Sequence, residues 1–272
     1  MSAEDLFSPQ DWRTEIDIHR EALPRPVFFR TYLLKDGSEA HRHHHPFDQF
    51  HYARQGALLL GVDNTTYIIP ALYGMWIPAN TEHTVRAIGD TVLEGLDVYT
   101  SELSQPLAGC RVSLVSEFAR SFIHYATEHV SELYDTEGKE GRMVKVLLDV
   151  LSDLPDVTFT LTWPITPSLL AMCREIRDTP DKPHLMEYWA ERAGMSPRTF
   201  SRHFLKETGL NFGPWKQRMR LLQSVMMLRS TKSITEIALE LGYSSTSAFT
   251  YAFRQLFGVS PTQYESDAPT TR

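Results

Sequence analysis

Between residues 27 and 99 apolar and polar positions alternate in short runs. In QFHYA (49–53), Phe50 and Tyr52 fall on one side of an extended chain, and Gln49, His51 and Ala53 fall on the other. YIIP, MWIP, TVRAI and TVLEGLDVY are short and β-branched or aromatic. They are separated by turn signals at Lys35-Asp36-Gly37, Asp63-Asn64, Pro78-Ala79-Asn80 and Gly89-Asp90. The pattern predicts an antiparallel sandwich or barrel. After Arg111 the period becomes helical, with Leu114, Phe118, Phe122, Tyr125 and His129 on one line. In MVKVLLDVLSDL, Met143, Leu147, Val150 and Leu154 step by four, three and four, the spacing of a coiled-coil seam. That seam fits either packing against the β-rich part or a dimer interface. Residues 155–168 hold three prolines and little periodicity, which predicts a linker. From residue 169 to 265 the chain reads as helical.

Composition changes this picture in one respect. The 272 residues suffice for two domains with cores of their own, and the net charge is −7. The charge is split: residues 168–265 hold 13 Lys+Arg against 9 Asp+Glu, while the remainder holds 14 against 25. A mildly basic C-terminal part on an acidic N-terminal part permits a role near phosphates. The opening MSAEDLFSPQ is acidic and polar, so no signal peptide is expected. No long apolar run predicts a membrane span. Cys110 and Cys173 stand far apart, as suits a reduced, cytoplasmic protein without disulfides.

The helical part contains one plan twice. In LMEYWAERAGMSPRTFSRHFLKETG (185–209), Leu185, Trp189, Ala190 and Ala193 form a first helix face and Gly194 a turn. Ser196 caps a second helix that begins at Pro197 and turns Phe200, Phe204 and Leu205 inward. In SITEIALELGYSSTSAFTYAFRQLFG (233–258), Ile234, Ile237, Ala238 and Leu241 form the face and Gly242 the turn. Ser244 or Ser245 is the cap, and Phe249, Phe253 and Phe257 face inward. A long amphipathic helix with Trp215, Met219, Leu222 and Met226 inside joins the two units. Two helix-turn-helix units on one rigid frame can enter successive major grooves about 34 Å apart. Arg198 and Arg202 suit guanine edges, and Ser201, Thr246, Ser247 and Thr250 suit adaptable base contacts. Lys206 and Arg254 suit phosphates.

The arrangement resembles the AraC/XylS family of bacterial transcription regulators over roughly residues 168–264. GYSSTSAFTYAFRQLFGVSPTQY carries the likeness, through Gly242, Tyr243, Phe249, Phe253, Phe257-Gly258 and Ser260-Pro261. The resemblance places base-reading residues at Arg198, Ser201 and Arg202, and at Thr246, Ser247, Thr250 and Tyr251. The second of these helices is poor in Arg and Gln.

HRHHHPFDQF (41–50) poses a separate question. Its spacing resembles the cupin motif G-x5-H-x-H-x3/4-E-x6-G, with Gly37, His43, His45, Gln49 in place of Glu, and Gly56. A second cupin motif, P-x-G-x2-H, is matched from Pro78 to His83 with Asn80 in place of Gly. Asn tolerates the same left-handed backbone. His43 and His45 are two apart on a strand, and His83 can supply a third nitrogen. Three imidazoles with an open position suit a divalent transition metal: Zn, Ni, Cu or Fe. The same histidines and Gln49 equally suit hydrogen bonds to an organic effector without metal. Asp48 is placed to support such ligands, and no role is assigned to His41, His44 or His51.

The expected architecture is multi-domain. It comprises a cupin-like sensor barrel at 1–112, a helical dimerisation segment at 113–154, a linker at 155–168 and an all-α double helix-turn-helix domain at 169–265. The expected protein is not an enzyme. It is a homodimeric regulator that binds double-stranded promoter DNA, responds to a small molecule or metal, and meets RNA polymerase if it activates rather than represses. A cupin metalloenzyme and a constitutive regulator with a non-sensing barrel are the alternatives.

Overall fold

The computed structural model describes residues 14–15, 21–157, 160–183, 185–228 and 231–267. The chain divides into two units, one of residues 9–62 and 68–158, the other of residues 63–67 and 159 onward together with the extreme N-terminus.

The first unit is built around strands that pair antiparallel, except β1, which runs parallel to β3. In chain order they are β1 (Thr14–Glu15), β2 (Val27–Leu34), β3 (Ser38–His43), β4 (Asp48–Val62), β5 (Thr65–Pro70), β6 (Tyr73–Ile77), β7 (His83–Val98), β8 (Arg111–Leu114) and β9 (Asp156–Val157). The ladder order runs β1-β3-β7-β4-β6-β8-β9, with β2 also on β7. The turn signals read from the sequence lie at left-handed residues: Gly37 (φ 82°), Asp63 (φ 51°), Asn80 (φ 59°) and Gly89 (φ 69°). One differs in kind. Gly89-Asp90 does not separate two strands but bends a single strand, β7. Residues 83–86 of β7 pair with β3, and residues 91–98 pair with β2. Opposite the bend, β4 shifts register around Gly56 (φ 87°). Thr91 fills the space there, since a Cβ on Gly56 would lie 2.1 Å from Thr91 Oγ1.

Alternation along β4 serves two buried faces. Phe50 and Tyr52, with Trp76, Leu96 and Val98, form one core with two helices, α1 (Glu117–His129) and α2 (Lys139–Ser152). Ser116 caps α1 by accepting from Ala119 N–H. The helix presents Ala119, Ile123 and Ala126 to the core. Fully buried Glu94 on β7 accepts from His124 Nδ1 at 2.8 Å and pairs with Arg54 at 3.0 Å. Burial raises the pKa of this carboxyl despite both partners.

The sequence reading changes or narrows at four points here. Residues 111–114 are strand, so helical structure begins at Glu117 rather than just after Arg111. The seam Met143/Leu147/Val150/Leu154 turns toward the barrel: Leu147 and Leu154 are buried and Val150 packs on the same core. Phe118 (62% exposed) and Tyr125 (44%) stay at the surface, about 100° round the helix from the buried Ala119 and Ala126. The presumed linker is partly ordered, with β9 on β8 and a further strand, β10 (Thr160–Thr162), on β5.

The second unit is helical apart from the β5–β10 pair. Its helices are α3 (Pro167–Asp178), α4 (Met186–Arg192), α5 (Pro197–Thr208), α6 (Phe212–Met227), α7 (Ile234–Glu240), α8 (Thr246–Phe257) and α9 (Pro261–Asp267). Phe200, Phe204, Trp215, Met219, Leu222, Phe249, Phe253 and Phe257 are buried. Leu185 and Leu205, expected inside, are 63% and 44% exposed. Leu185 is the extended residue before α4, and Leu205 lies one step, about 100°, off the Phe200/Phe204/Thr208 line. Gly242 (φ 75°) is required twice over, because a Cβ there would also meet Pro180 O at 2.7 Å. Arg220 on α6 binds the carbonyls of Pro180, Lys182 and Gly242, so one guanidinium ties the α3–α4 connection to the second turn.

Glu207 on α5 caps α3, accepting from Ile165 N at 2.9 Å, Thr166 N at 3.0 Å and Thr166 Oγ1 at 2.5 Å. Burial pushes its pKa up, but these bonds outweigh that and hold it below the ordinary 4.5. Such a carboxylate stabilises the fold above pH 4.5 and loses that contribution as pH falls toward its native pKa. Glu207→Gln is therefore expected to lower the melting temperature at pH 7. The gap from wild type should close as pH drops below 4.5, measured by thermal unfolding at a series of pH values.

Candidate functional site

The barrel interior collects four histidines. His43 ends β3, His45 follows it, and His83 opens β7 directly opposite His43. Their rings lie 4.9 Å (43–45), 4.3 Å (43–83) and 5.9 Å (45–83) apart, centre to centre. One nitrogen from each can be chosen so that all three lie within 4.8 Å of one another. All three rings are at least nine-tenths buried. His43 Nδ1 donates to His41 O at 2.5 Å, and His83 Nδ1 donates to Thr81 O at 2.8 Å. A carbonyl only accepts, so each of these rings carries its proton on Nδ1 and a lone pair on Nε2. Burial first, then neighbouring His43, lowers the pKa of His83 to about 4. The ring is thus neutral near pH 7, the state a metal needs.

The flanking loop is tied to the same residues. Asn80 N donates to His45 O at 2.7 Å, and Asp48 Oδ1 accepts from Ala79 N at 2.7 Å. Asp48 thus anchors the Pro78–Asn80 turn. Gln49 points its amide NH2 at Asp97 Oδ1, 3.0 Å away.

The sequence reading missed His51, Arg30 and Asp97. Arg30 on β2 and His51 on β4 both sit beside Gly95 of β7. The Arg30 side chain runs beside Gly95, where an added Cβ would only touch it, 3.5 Å from Nε. Its guanidinium reaches Asp97 at 2.7 Å and His51 Nε2 at 3.3 Å. Burial, then Arg30, holds the His51 pKa well below its usual 6.5. The available signals were lone charges in the apolar runs VFFRTYLL and TVLEGLDVY, and the i, i+2 relation of Gln49 to His51.

In the second unit the two helix pairs are α4–α5 and α7–α8. Gly194 (φ 65°) and Gly242 form the turns, and Ser196 and Ser245 accept from Thr199 N and Ala248 N. Arg198, Arg202, Lys206, Ser247, Tyr251 and Arg254 are exposed; Ser201, Thr246 and Thr250 are half-buried. Ser201 Oγ touches Met186 Sδ, and Thr246 Oγ1 bonds Thr235 Oγ1, each at 3.1 Å. Arg192 differs: it pairs with Glu175 at 3.0 Å and lies over Trp189, which gives it a structural role.

A β-barrel unit with clustered histidines, joined to a paired helix-turn-helix unit, defines a two-module DNA-binding protein. The family comparisons agree. Residues 189–267 match a helix-turn-helix domain and residues 30–99 match a cupin domain. The chain is 28% identical over 250 residues to the HTH-type transcriptional regulator NimR of Escherichia coli, covering 92% of this chain and 90% of NimR. It is 22% identical over 245 residues to the HTH-type transcriptional activator RhaR of Pectobacterium carotovorum, covering 82% and 84%. A solved ToxT structure from Vibrio cholerae aligns over 90% of this chain and 99% of ToxT, with a TM-score of 0.39 and 11% identity. The chain thus joins a helix-turn-helix domain to a cupin domain and is a helix-turn-helix transcription regulator, similar over most of its length to regulators of the AraC type. Among the described residues no helix is long and apolar enough to cross a membrane.

Asp97 is the hub of the interior, holding Arg30 and Gln49 together. Asp97→Ala leaves the Arg30 charge buried without its partner, so thermal or urea unfolding of the full chain should show a loss of about 3–5 kcal/mol.

Proposed function

We propose that this regulator responds to occupancy of its barrel, and that the occupant includes a divalent transition metal held by His43, His45 and His83. The proximity of the three imidazoles carries the reading, supported by the backbone carbonyls that fix the tautomers of His43 and His83. Neutral imidazoles on three sides suit Zn, Ni, Cu or Fe and leave a position open. Gln49 stands beside this group: its amide nitrogen donates to Asp97, which leaves its buried Oε1 without a hydrogen-bond partner and able to meet a metal or an effector. Occupancy can alter promoter binding only if the metal has different affinities for two states of the protein. The α5 and α8 faces read DNA: Arg198, Ser201 and Arg202 from one, Thr246, Ser247, Thr250 and Tyr251 from the other. Lys206 and Arg254 meet phosphates. The exposed aromatics Phe118 and Tyr125 on α1 serve as the homodimer surface in place of the seam on α2. RNA polymerase is a partner if the regulator activates.

Tag-free full-length protein purified without chelator should carry about one transition metal per chain, and His43→Ala/His45→Ala should carry none while staying folded. Metal analysis beside far-UV circular dichroism decides this. Absence of metal from wild type even after loading would shift the reading to a metal-free organic effector bound by the same groups.

Arg202→Ala should lose about 1–3 kcal/mol on a selected promoter fragment and much less on random DNA, measured by competition binding at fixed salt. An equal loss on both would reassign Arg202 to the phosphate backbone.

A further inference from the structure

The two reading helices can be compared position by position. Helices α5 and α8 each span 12 residues, start after a serine cap (Ser196, Ser245) and end at a left-handed glycine (Gly209, Gly258). Their buried lines coincide: Phe200 with Phe249, Phe204 with Phe253, and Thr208 with Phe257. The outward positions therefore coincide as well, and there the chemistry differs. Arg198, Arg202 and Lys206 on α5 stand where α8 has Ser247, Tyr251 and Gln255, and all six residues are exposed. The cation of α8, Arg254, is offset by one step and takes the place of Leu205.

Neighbouring groups do not make up this difference. Lys232 pairs with Glu240, and Arg220 is spent on the carbonyls of Pro180, Lys182 and Gly242. Helix α7 adds the exposed carboxylates Glu236 and Glu240. In the major groove, guanine is recognised by bidentate donors on O6 and N7, whereas thymine is marked by its methyl, which apolar carbon meets. Tyr251, 69% exposed, puts an aromatic ring at the position held by Arg202 on α5. Thr250 adds a methyl group at the position of Ser201. The Thr246 hydroxyl already donates to Thr235 Oγ1 at 3.1 Å.

We propose that the two helices read different classes of base: α5 takes guanines and most of the phosphate contacts, and α8 takes thymines through the Tyr251 ring and the Thr250 methyl. This rests on the DNA reading above. Tyr251 and Thr250 then set the sequence of the second half-site without charge.

The test starts from a site enriched out of random duplex DNA by the full-length protein. Two blocks about one helical turn apart are expected, one marked by guanines and one by thymines. Uracil in place of the thymines removes only methyl groups, and should weaken wild type about threefold or more. Tyr251→Ala should lose a similar factor on thymine DNA and be nearly indifferent to uracil. In the other block, 7-deazaguanine removes the N7 acceptor and should weaken wild type about tenfold. Arg198→Ala/Arg202→Ala should lose that response and keep the response to uracil. Equal wild-type affinity for thymine and uracil DNA overturns the proposal. So does a Tyr251→Ala protein that responds to uracil in full, or an enriched site with guanines in both blocks or no thymine block. Each of these leaves DNA reading by the chain intact, whereas enrichment of no site removes that reading and this inference with it.

Discussion

The pairing of β7 sets the position of every side chain in the barrel site. Its first residues face β3, which puts His83 across from His43. Its later residues lie between β2 and β4, which puts Asp97 beside Gln49 and Gly95 between Arg30 and His51. One strand can serve both partners because it bends at Gly89, and β4 follows the bend through its irregularity at Gly56. Thr91 locks the two together from the place a Gly56 side chain would need. Side chains alternate along a strand, so a slip of one residue would turn Asp97 toward the helices and Leu96 into the polar interior. The register and the chemistry are therefore one constraint.

That interior is an unusual use of core volume. Arg30 and Asp97 are a buried ion pair, and such pairs seldom add stability over apolar residues of the same size. What the pair contributes is position. Asp97 fixes Gln49, and Arg30 fixes the tautomer of His51. The stability of the unit comes instead from the opposite face of the same strands, where Phe50, Trp76 and Leu96 pack against Ile123, Leu147 and Leu151. Alternation lets one strand supply structure on one face and chemistry on the other.

The helix-turn-helix units were the most legible part of the sequence because their signals are local. A serine cap, a proline in the first turn, a left-handed glycine and phenylalanines four apart each act within a few residues, and each lies where the pattern put it. The errors there, Leu185 and Leu205, are positions at the edge of a helical face. The barrel was legible as alternation and turns. The His43/His45/His83 group was legible only through motif spacing, because the strands that bring it together are 40 residues apart in the chain. Arg30, His51 and Asp97 come from three strands and meet through register, which no single stretch encodes. The α2 seam stayed open between core packing and a dimer interface for a related reason. Periodicity shows that a helix has an apolar line but not what that line touches.

The departure of Gln49 from the cupin pattern also has a physical reason. Residue 49 pairs across the ladder with Asp97, and both are buried. A glutamate at that position would set two carboxylates side by side in low dielectric, and one would have to take up a proton. Glutamine turns the repulsion into a donor–acceptor bond and leaves Asp97 charged for Arg30. The substitution removes the anionic ligand that a metal in this barrel would otherwise receive from the protein. The absence of the glutamate and the placement of the ion pair thus follow from one rung of the β4–β7 ladder. The cluster beside it holds three imidazoles and, among the described residues, no carboxylate within the same group.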